Sequence, residues 1–238
     1  MIAVINRLYR RIFCRGGHGV HSPFVFDLLT TVIEEKCFYY CYDSLSPVRA
    51  QLRQNVVTLR SRGHEYAVND YLKRFCFSES EDKLLFRLAN RFKPEVICVA
   101  GSDLGLAPVY LTAYSKSVRC IVIEPEADVA AVAQSIVDKY STSVGIHSSG
   151  EIDTQDKGSI DLFVLGKCSP VAFDEAVQYM NDESLMVISG INASRESRAK
   201  WKNICVHPRV TVTLDLYSLG LVFFNPNLHR KTYKSFVL

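Results

Sequence analysis

The sequence predicts an α/β protein, with a mostly parallel sheet closed by an antiparallel hairpin and a helical extension at its N-terminus. Three observations carry this. From residue 95 onward, short apolar runs alternate with helical stretches, the pattern that right-handed crossovers between parallel strands produce. The runs are apolar throughout rather than alternating, as strands covered on both faces must be. The alternation then breaks: residues 209–216 and 219–225 are both strand-like and flank a short Tyr217-Ser218 turn, which reads as a hairpin.

Length and composition bound the rest. At about 150 residues per domain, 238 residues suit one large domain or a core with an extension. A chain that is 48% hydrophobic and 22% charged is not disordered, because it can bury enough apolar surface to offset its ordering entropy. Twelve Gly and eight Pro exclude a collagen-like chain. No apolar run reaches the roughly 18 residues of a transmembrane helix. The balance of 28 basic and 25 acidic residues, +3, is too small to argue for nucleic acid. Of the eight cysteines only Cys37 and Cys41 are close in sequence, which does not suit zinc. Several others fall inside apolar runs. They read as buried free thiols in a reducing cytoplasm.

Taken in order, residues 1–15 carry four arginines before the first acid, Asp27, with Ile5, Leu8, Ile12 and Phe13 at helical spacing. The late arginines and the missing cleavage site exclude a secretory signal. A basic amphipathic helix can lie on an anionic membrane; we expect one packed on its own domain with its arginines solvated. Next, GlyGlyHisGlyValHisSerProPheValPhe (16–26) holds His18 and His21, which suit ligands, acid/base groups or structural histidines. Ser22 as N-cap and Pro23 at the first position start a helix to about residue 35. Tyr39, Tyr40 and Tyr42 are expected in an aromatic core more than a pocket. A basic helical stretch is expected from Arg49 to Arg62. SerGluSerGluAspLys (78–83) opens a helix whose amphipathic part, 83–92, closes at Lys93-Pro94, with acids where the helix dipole favours them. The extension therefore covers 1–80 and the α/β domain 81–238. In the latter, strands are expected at 95–100, 119–124, 143–148, 160–165, 184–190, 209–216 and 219–225. Helices are expected at 104–115, 127–139, 170–181 and 194–203.

Open α/β sheets bind ligands beyond the carboxyl ends of their strands. The first strand of the domain runs into GlySerAspLeuGly, 101–105. Gly101 permits a tight turn and close approach of a ligand, and Gly105 permits close packing at a helix start. The second strand ends in Glu124, 19 residues after Gly105, and a carboxylate there can accept from both hydroxyls of a ribose. A glycine loop followed by an acid at the next strand end points to an adenosine-type cofactor. The loop is not GxGxxG, so a nicotinamide cofactor is less supported.

These residues resemble the class I S-adenosylmethionine-dependent methyltransferases, whose Rossmann-like seven-stranded sheet is closed by an antiparallel hairpin. More narrowly, the chain resembles a Bacteroides-type group of such proteins. The likeness rests on HisGlyValHisSerProPheVal (18–25), LeuLeuPheArgLeuAlaAsnArgPhe (84–92), and ValThrValThrLeuAspLeu with GlyLeuValPhePhe within 210–224. It implies S-adenosylmethionine held by Gly101, Ser102, Asp103, Gly105, Glu124 and Ser149, with a small-molecule methyl acceptor. The chain departs from the family where acids are usual. Val99 stands two residues before the first glycine, with Asp103 the nearby substitute. Ser148-Ser149 follow the third strand. The fourth strand ends Leu165-Gly166-Lys167-Cys168 and the fifth Ser189-Gly190. Metal-dependent relatives bind a divalent cation through the acids at the ends of the fourth and fifth strands. Gly, Lys and Cys cannot supply that oxygen cluster, so no metal is expected.

Methyl transfer from a sulfonium needs alignment and exclusion of water more than acid/base chemistry. Where a base is needed, His21 is the first candidate by residue type; Tyr40, Tyr42, Lys167 and Cys168 follow. Three functions fit: a metal-independent methyltransferase, a catalytically impaired relative kept as a binding module or scaffold, and a nucleic-acid or membrane-surface protein using the basic N-terminus. The first two stand ahead of the third. The N-terminal helices are candidate elements of a homodimer.

Overall fold

The structure, a computed structural model, describes residues 20–141, 143–148 and 152–235, without the side chain of Thr154. The basic N-terminal helix, His18 and Ser149 lie outside the described residues. The chain divides into two compact units, one of residues 38–181 and one of the segments on either side.

In chain order, the second of these units begins with α1, Pro23–Leu28. Ser22 caps it through its side chain, and Pro23 stands at the first position, as the sequence predicts. A five-residue π turn, Leu29–Ile33, extends it. On α1, Phe24 meets Phe223 edge-on, with ring centroids 5.0 Å apart.

Within residues 38–181, α2 is Tyr40–Arg53, followed by β1, Thr58–Ser61, and β2, His64–Ala67. The basic helix expected to reach Arg62 therefore stops at Arg53, and a two-stranded antiparallel hairpin takes its place. Arg62 and Gly63 both have positive φ, 52° and 77°, at its tip, the backbone a tight hairpin turn requires. Next come α3, Val68–Phe75, and α4, Glu79–Phe92. Ser78 and Glu81 form a capping box that starts α4 four residues before the amphipathic run. Lys93 closes it in the left-handed conformation.

The sheet of this unit contains β3, Val96–Ala100; β4, Arg119–Ile123; β5, Val144–His147; and β6, Ile160–Leu165. All neighbours are parallel, in the order β6-β3-β4-β5. Between them run α5, Leu106–Thr112, and α6, Ala127–Tyr140. The expected helix at 170–181 is a single turn, α7, Phe173–Ala176, with a 3-10 turn after it. Of the tyrosine cluster, Tyr42 is buried in a core with Leu45, Leu72 and Phe86. Tyr40 is 95% exposed, contrary to the core expectation: it opens α2 one residue after Tyr39 and so lies on another face.

The remaining elements are β7, Met180–Ser189; α8, Arg195–Cys205; β8, Val212–Asp215; β9, Leu219–Phe223; and β10, Lys231–Lys234. β9 runs antiparallel to both β7 and β8, so the closing hairpin stands where the sequence places it. β10 lies outside the seven strands the sequence predicts; it pairs parallel with β8. Gly220 lies against Trp201: a Cβ there would be 2.4 Å from the indole. Among the described residues, no helix is long and apolar enough to cross a membrane.

Candidate functional site

Register builds the site. Ala100 pairs with Ile123 on one side and with Leu165 on the other. The next residue of each strand, Gly101, Glu124 and Gly166, therefore emerges at the same carboxyl edge. The ladder continues one step beyond the strands: Gly101 donates to the Ile123 carbonyl and Gly166 to the Ala100 carbonyl, both at 2.9 Å. Glu124 donates to the His147 carbonyl at 3.0 Å.

The Glu124 side chain is buried, the residue being 2% exposed. Its Oε2 accepts from the Ser102 backbone N–H at 2.9 Å and from the Ser102 hydroxyl at 2.8 Å. Oε1 accepts from the Glu126 N–H at 3.3 Å. Burial holds the carboxyl above its ordinary range, and the Ser102 and Glu126 bonds work against that rise. The carboxylate thus ties the end of β4 to the loop after β3.

The loop itself is strained. Asp103 and Leu104, both non-glycine, have φ of 52° and 53°, between Gly101 and Gly105, each at 86°. Aspartate tolerates that region better than most residues. Asp103 Oδ1 accepts from the Phe77 N–H at 2.8 Å and Oδ2 from the Ala107 N–H at 3.1 Å. It therefore braces the loop and the first turn of α5. Burial raises its carboxyl to about 6. Gly105 stands behind the site: a Cβ would fall 2.8 Å from the Ala133 carbonyl oxygen of α6, the close packing its sequence position suggests.

Gly101, Ser102, Asp103 and Glu124 come together around one cavity, joined by Gly166, Lys167 and Cys168 from the end of β6. Tyr71, Phe75 and Phe77, which sequence reasoning did not select, close the other side. Their only signal is a run of aromatics, Tyr66, Tyr71, Phe75 and Phe77, around a short helix. Lys167 turns its ammonium to the Cys76 carbonyl at 2.7 Å. The Cys168 thiol is pushed up by burial, and the Tyr71 hydroxyl and Arg62 side chain against it oppose the rise; a raised thiol is a poor nucleophile. His21 lies in the other unit, exposed, one residue ahead of the Ser22 cap. Among the described residues, no three His, Cys, Asp or Glu side chains converge as a metal would require.

The cavity measures about 10 Å³, the room of a single water. Pockets for small molecules and cofactors run to about 300–1,000 Å³. The residues suit the ribose end of an adenosine cofactor, since a buried carboxylate stands at the end of β4 beside a glycine loop. This cavity by itself is too small to enclose one. A wider hollow of about 530 Å³ opens among Thr112, Tyr114, Lys116, Tyr140, Ser141 and Ser143. It lies at the amino ends of β4 and β5, the end of the sheet away from the loop and Glu124.

Solved structures share this architecture. An O-methyltransferase from Bacillus cereus in complex with SAH superposes with a TM-score of 0.53 at 15% identity, over 84% of this chain and 97% of that one. A putative O-methyltransferase from Klebsiella pneumoniae gives 0.53 at 13% identity, over 80% and 92%. The O-methyltransferase TomG from Streptomyces achromogenes, involved in tomaymycin synthesis and in complex with SAM, gives 0.50 at 13%, over 77% and 98%. The fold is the Rossmann-like methyltransferase fold. No family profile matches the chain, and no curated protein matches it. Within the methyltransferase fold, the loop 101–105 and Glu124 occupy the carboxyl edge of adjacent central strands, where open α/β sheets take their ligands.

Proposed function

We propose that this protein is a metal-independent, S-adenosylmethionine-dependent methyltransferase-like protein acting on a small-molecule acceptor. The observation that carries the reading is the joined pair at the sheet edge, Glu124 at the end of β4 bonded to the loop that follows β3. The O-methyltransferase neighbours that hold SAM or SAH support it. When bound, the cofactor supplies a methyl group already activated by a sulfonium. Glu124 would hold the ribose hydroxyls, and Gly101 would let the backbone approach the cofactor. Residues 101–105 hold the loop in shape through the Asp103 contacts to Phe77 and Ala107. With donor and acceptor in line and water excluded, the transfer needs little further from the protein.

A second reading, a cofactor-free scaffold, draws on one specific observation: both carboxylates at the site are engaged by the chain's own N–H groups, around a cavity of about 10 Å³. Calorimetric titration of S-adenosylmethionine and S-adenosylhomocysteine into the protein and into Glu124→Ala separates the two. Binding at one site per chain, lost in the variant, upholds the cofactor site, and turnover with an acceptor then separates the methyltransferase from a catalytically impaired binding module. Absence of binding to either ligand overturns the methyltransferase reading and leaves the scaffold.

A further inference from the structure

Two cationic side chains meet at Cys168, beyond the end of β6. Lys167 lines the cavity and donates from its ammonium to the Cys76 carbonyl at 2.7 Å. Arg62 comes from the tip of the β1–β2 hairpin, and its side chain bonds the Cys168 thiol. We propose that Arg62 and Lys167 form a receptor for an oxyanion, a carboxylate or a phosphate, and that the methyl acceptor carries it. The acceptor half rests on the methyltransferase reading given above; the oxyanion half does not.

The charges still available at this cavity are positive. Glu124 is engaged by the N–H groups of Ser102 and Glu126 and by the Ser102 hydroxyl. Asp103 is engaged by the N–H groups of Phe77 and Ala107. Both carboxyls are buried, whereas Arg62 and Lys167 are exposed. Among the described residues, neither cation has a carboxylate within ion-pair distance. Glu126 Oε1 accepts from the Arg62 backbone N–H at 2.9 Å, which fixes the hairpin tip and leaves the guanidinium to Cys168. A guanidinium has five N–H donors and an ammonium three, so a carbonyl and a thiol occupy few of them. An oxyanion would complete the set with short, charge-assisted hydrogen bonds. Tyr71, whose hydroxyl also bonds Cys168, lines the cavity with Phe75 and Phe77. Those rings offer an apolar wall to the carbon body of an organic acid.

The test is alkylation of Cys168 in the full chain by iodoacetate and by iodoacetamide, which differ in charge at nearly equal size. At about pH 8.5 the lysine stays charged. Peptide mass spectrometry gives the ratio of the two rates, in which the thiolate fraction cancels because both reagents need it. The exposed Cys37 is the internal reference. The iodoacetate-to-iodoacetamide ratio at Cys168 should exceed that at Cys37 by about threefold or more. It should fall to the Cys37 value in Arg62→Gln/Lys167→Gln and persist in Arg62→Lys/Lys167→Arg, which keeps both charges. Both side chains are exposed, so these variants leave the core intact. Equal ratios at the two thiols, or a ratio that the Gln variant leaves unchanged, overturn the proposal. So does failure of both reagents at Cys168 while Cys37 reacts, since the pair is then closed to any acid. A second arm adds saturating S-adenosylhomocysteine. A preference that persists leaves the pair to the acceptor. One that vanishes, or loss of all reaction at Cys168, gives the pair to the cofactor's own carboxylate and overturns the acceptor half. S-adenosylhomocysteine that fails to bind by calorimetry overturns the cofactor reading and the acceptor half with it, while the first arm still decides the oxyanion receptor.

Discussion

One oxygen of Glu124 accepts two hydrogen bonds from a single residue, Ser102, through its backbone N–H at 2.9 Å and its hydroxyl at 2.8 Å. Ser102 is fully buried, so neither donor has water to turn to. Glu124→Ala strands both and should lower stability by about 2–3 kcal/mol. Glu124→Gln keeps an acceptor and should lower it by less than about 1 kcal/mol. Urea denaturation of the two variants checks this. Equal losses would show that the carboxylate does not organise the loop.

Gly105 and Gly63 separate two reasons for glycine. Both have positive φ, but a Cβ at Gly105 would meet the Ala133 carbonyl at 2.8 Å, whereas Gly63 faces open space. Gly63→Ala should cost about 1 kcal/mol from backbone strain alone. Gly105→Ala adds a clash with backbone that cannot step aside, and should cost about 3 kcal/mol or more. Thermal melts of the pair give the difference.

Arg49 and Asp82 form a buried ion pair at 2.5 Å. Arg49 Nε and Asp82 Oδ1 have no partner among the described residues. Removing Arg49 leaves the buried Asp82 carboxyl without its partner, so Arg49→Met should destabilise by about 3–5 kcal/mol. The double variant Arg49→Met/Asp82→Leu should be more stable than Arg49→Met alone. Chemical denaturation of the cycle measures the coupling; strict additivity would show that the pair does not act as a unit.

The site also sets a pH dependence. Burial raises Asp103 from 3.8 to about 6, and burial raises Glu124 and Asp82 as well. Between these values the folded chain holds protons that the unfolded chain releases. The stability from Asp103 is therefore fully present below pH 3.8 and is lost as pH rises through about 6. Its share is roughly 1–3 kcal/mol. The melting temperature should fall from about pH 4 to about pH 6, and Asp103→Asn should flatten that fall. An identical slope in the variant would assign the dependence elsewhere.

Much of this was legible in the residues. Gly101, Ser102, Asp103 and Glu124 were identifiable because the turn from strand to helix leaves its mark locally, in glycines and in the acid at the strand end. Ser22-Pro23 and the helix start at Ser78 were legible for the same reason. The β1–β2 hairpin was not. Its strands present mostly exposed side chains, Arg60, Glu65 and His64 among them, and the acids that seat it, Glu126 and Asp128, are over 60 residues away. β10 was hidden likewise, with Tyr233 its one buried side chain. That Tyr71, Phe75 and Phe77 line one cavity with Gly101, Glu124 and Gly166 was beyond reach of any local pattern, since only the fold brings them together.

β10 has its own consequence. Without it β8 would present a row of free amides and carbonyls at the rim of the sheet, a template on which another chain could assemble. β10 occupies that row through all four residues of β8. Its own length carries Lys231 and Lys234, both exposed, whose charges repel a further strand. The last strand is thus a terminator, and it protects the molecule from polymerising through the rim of its sheet.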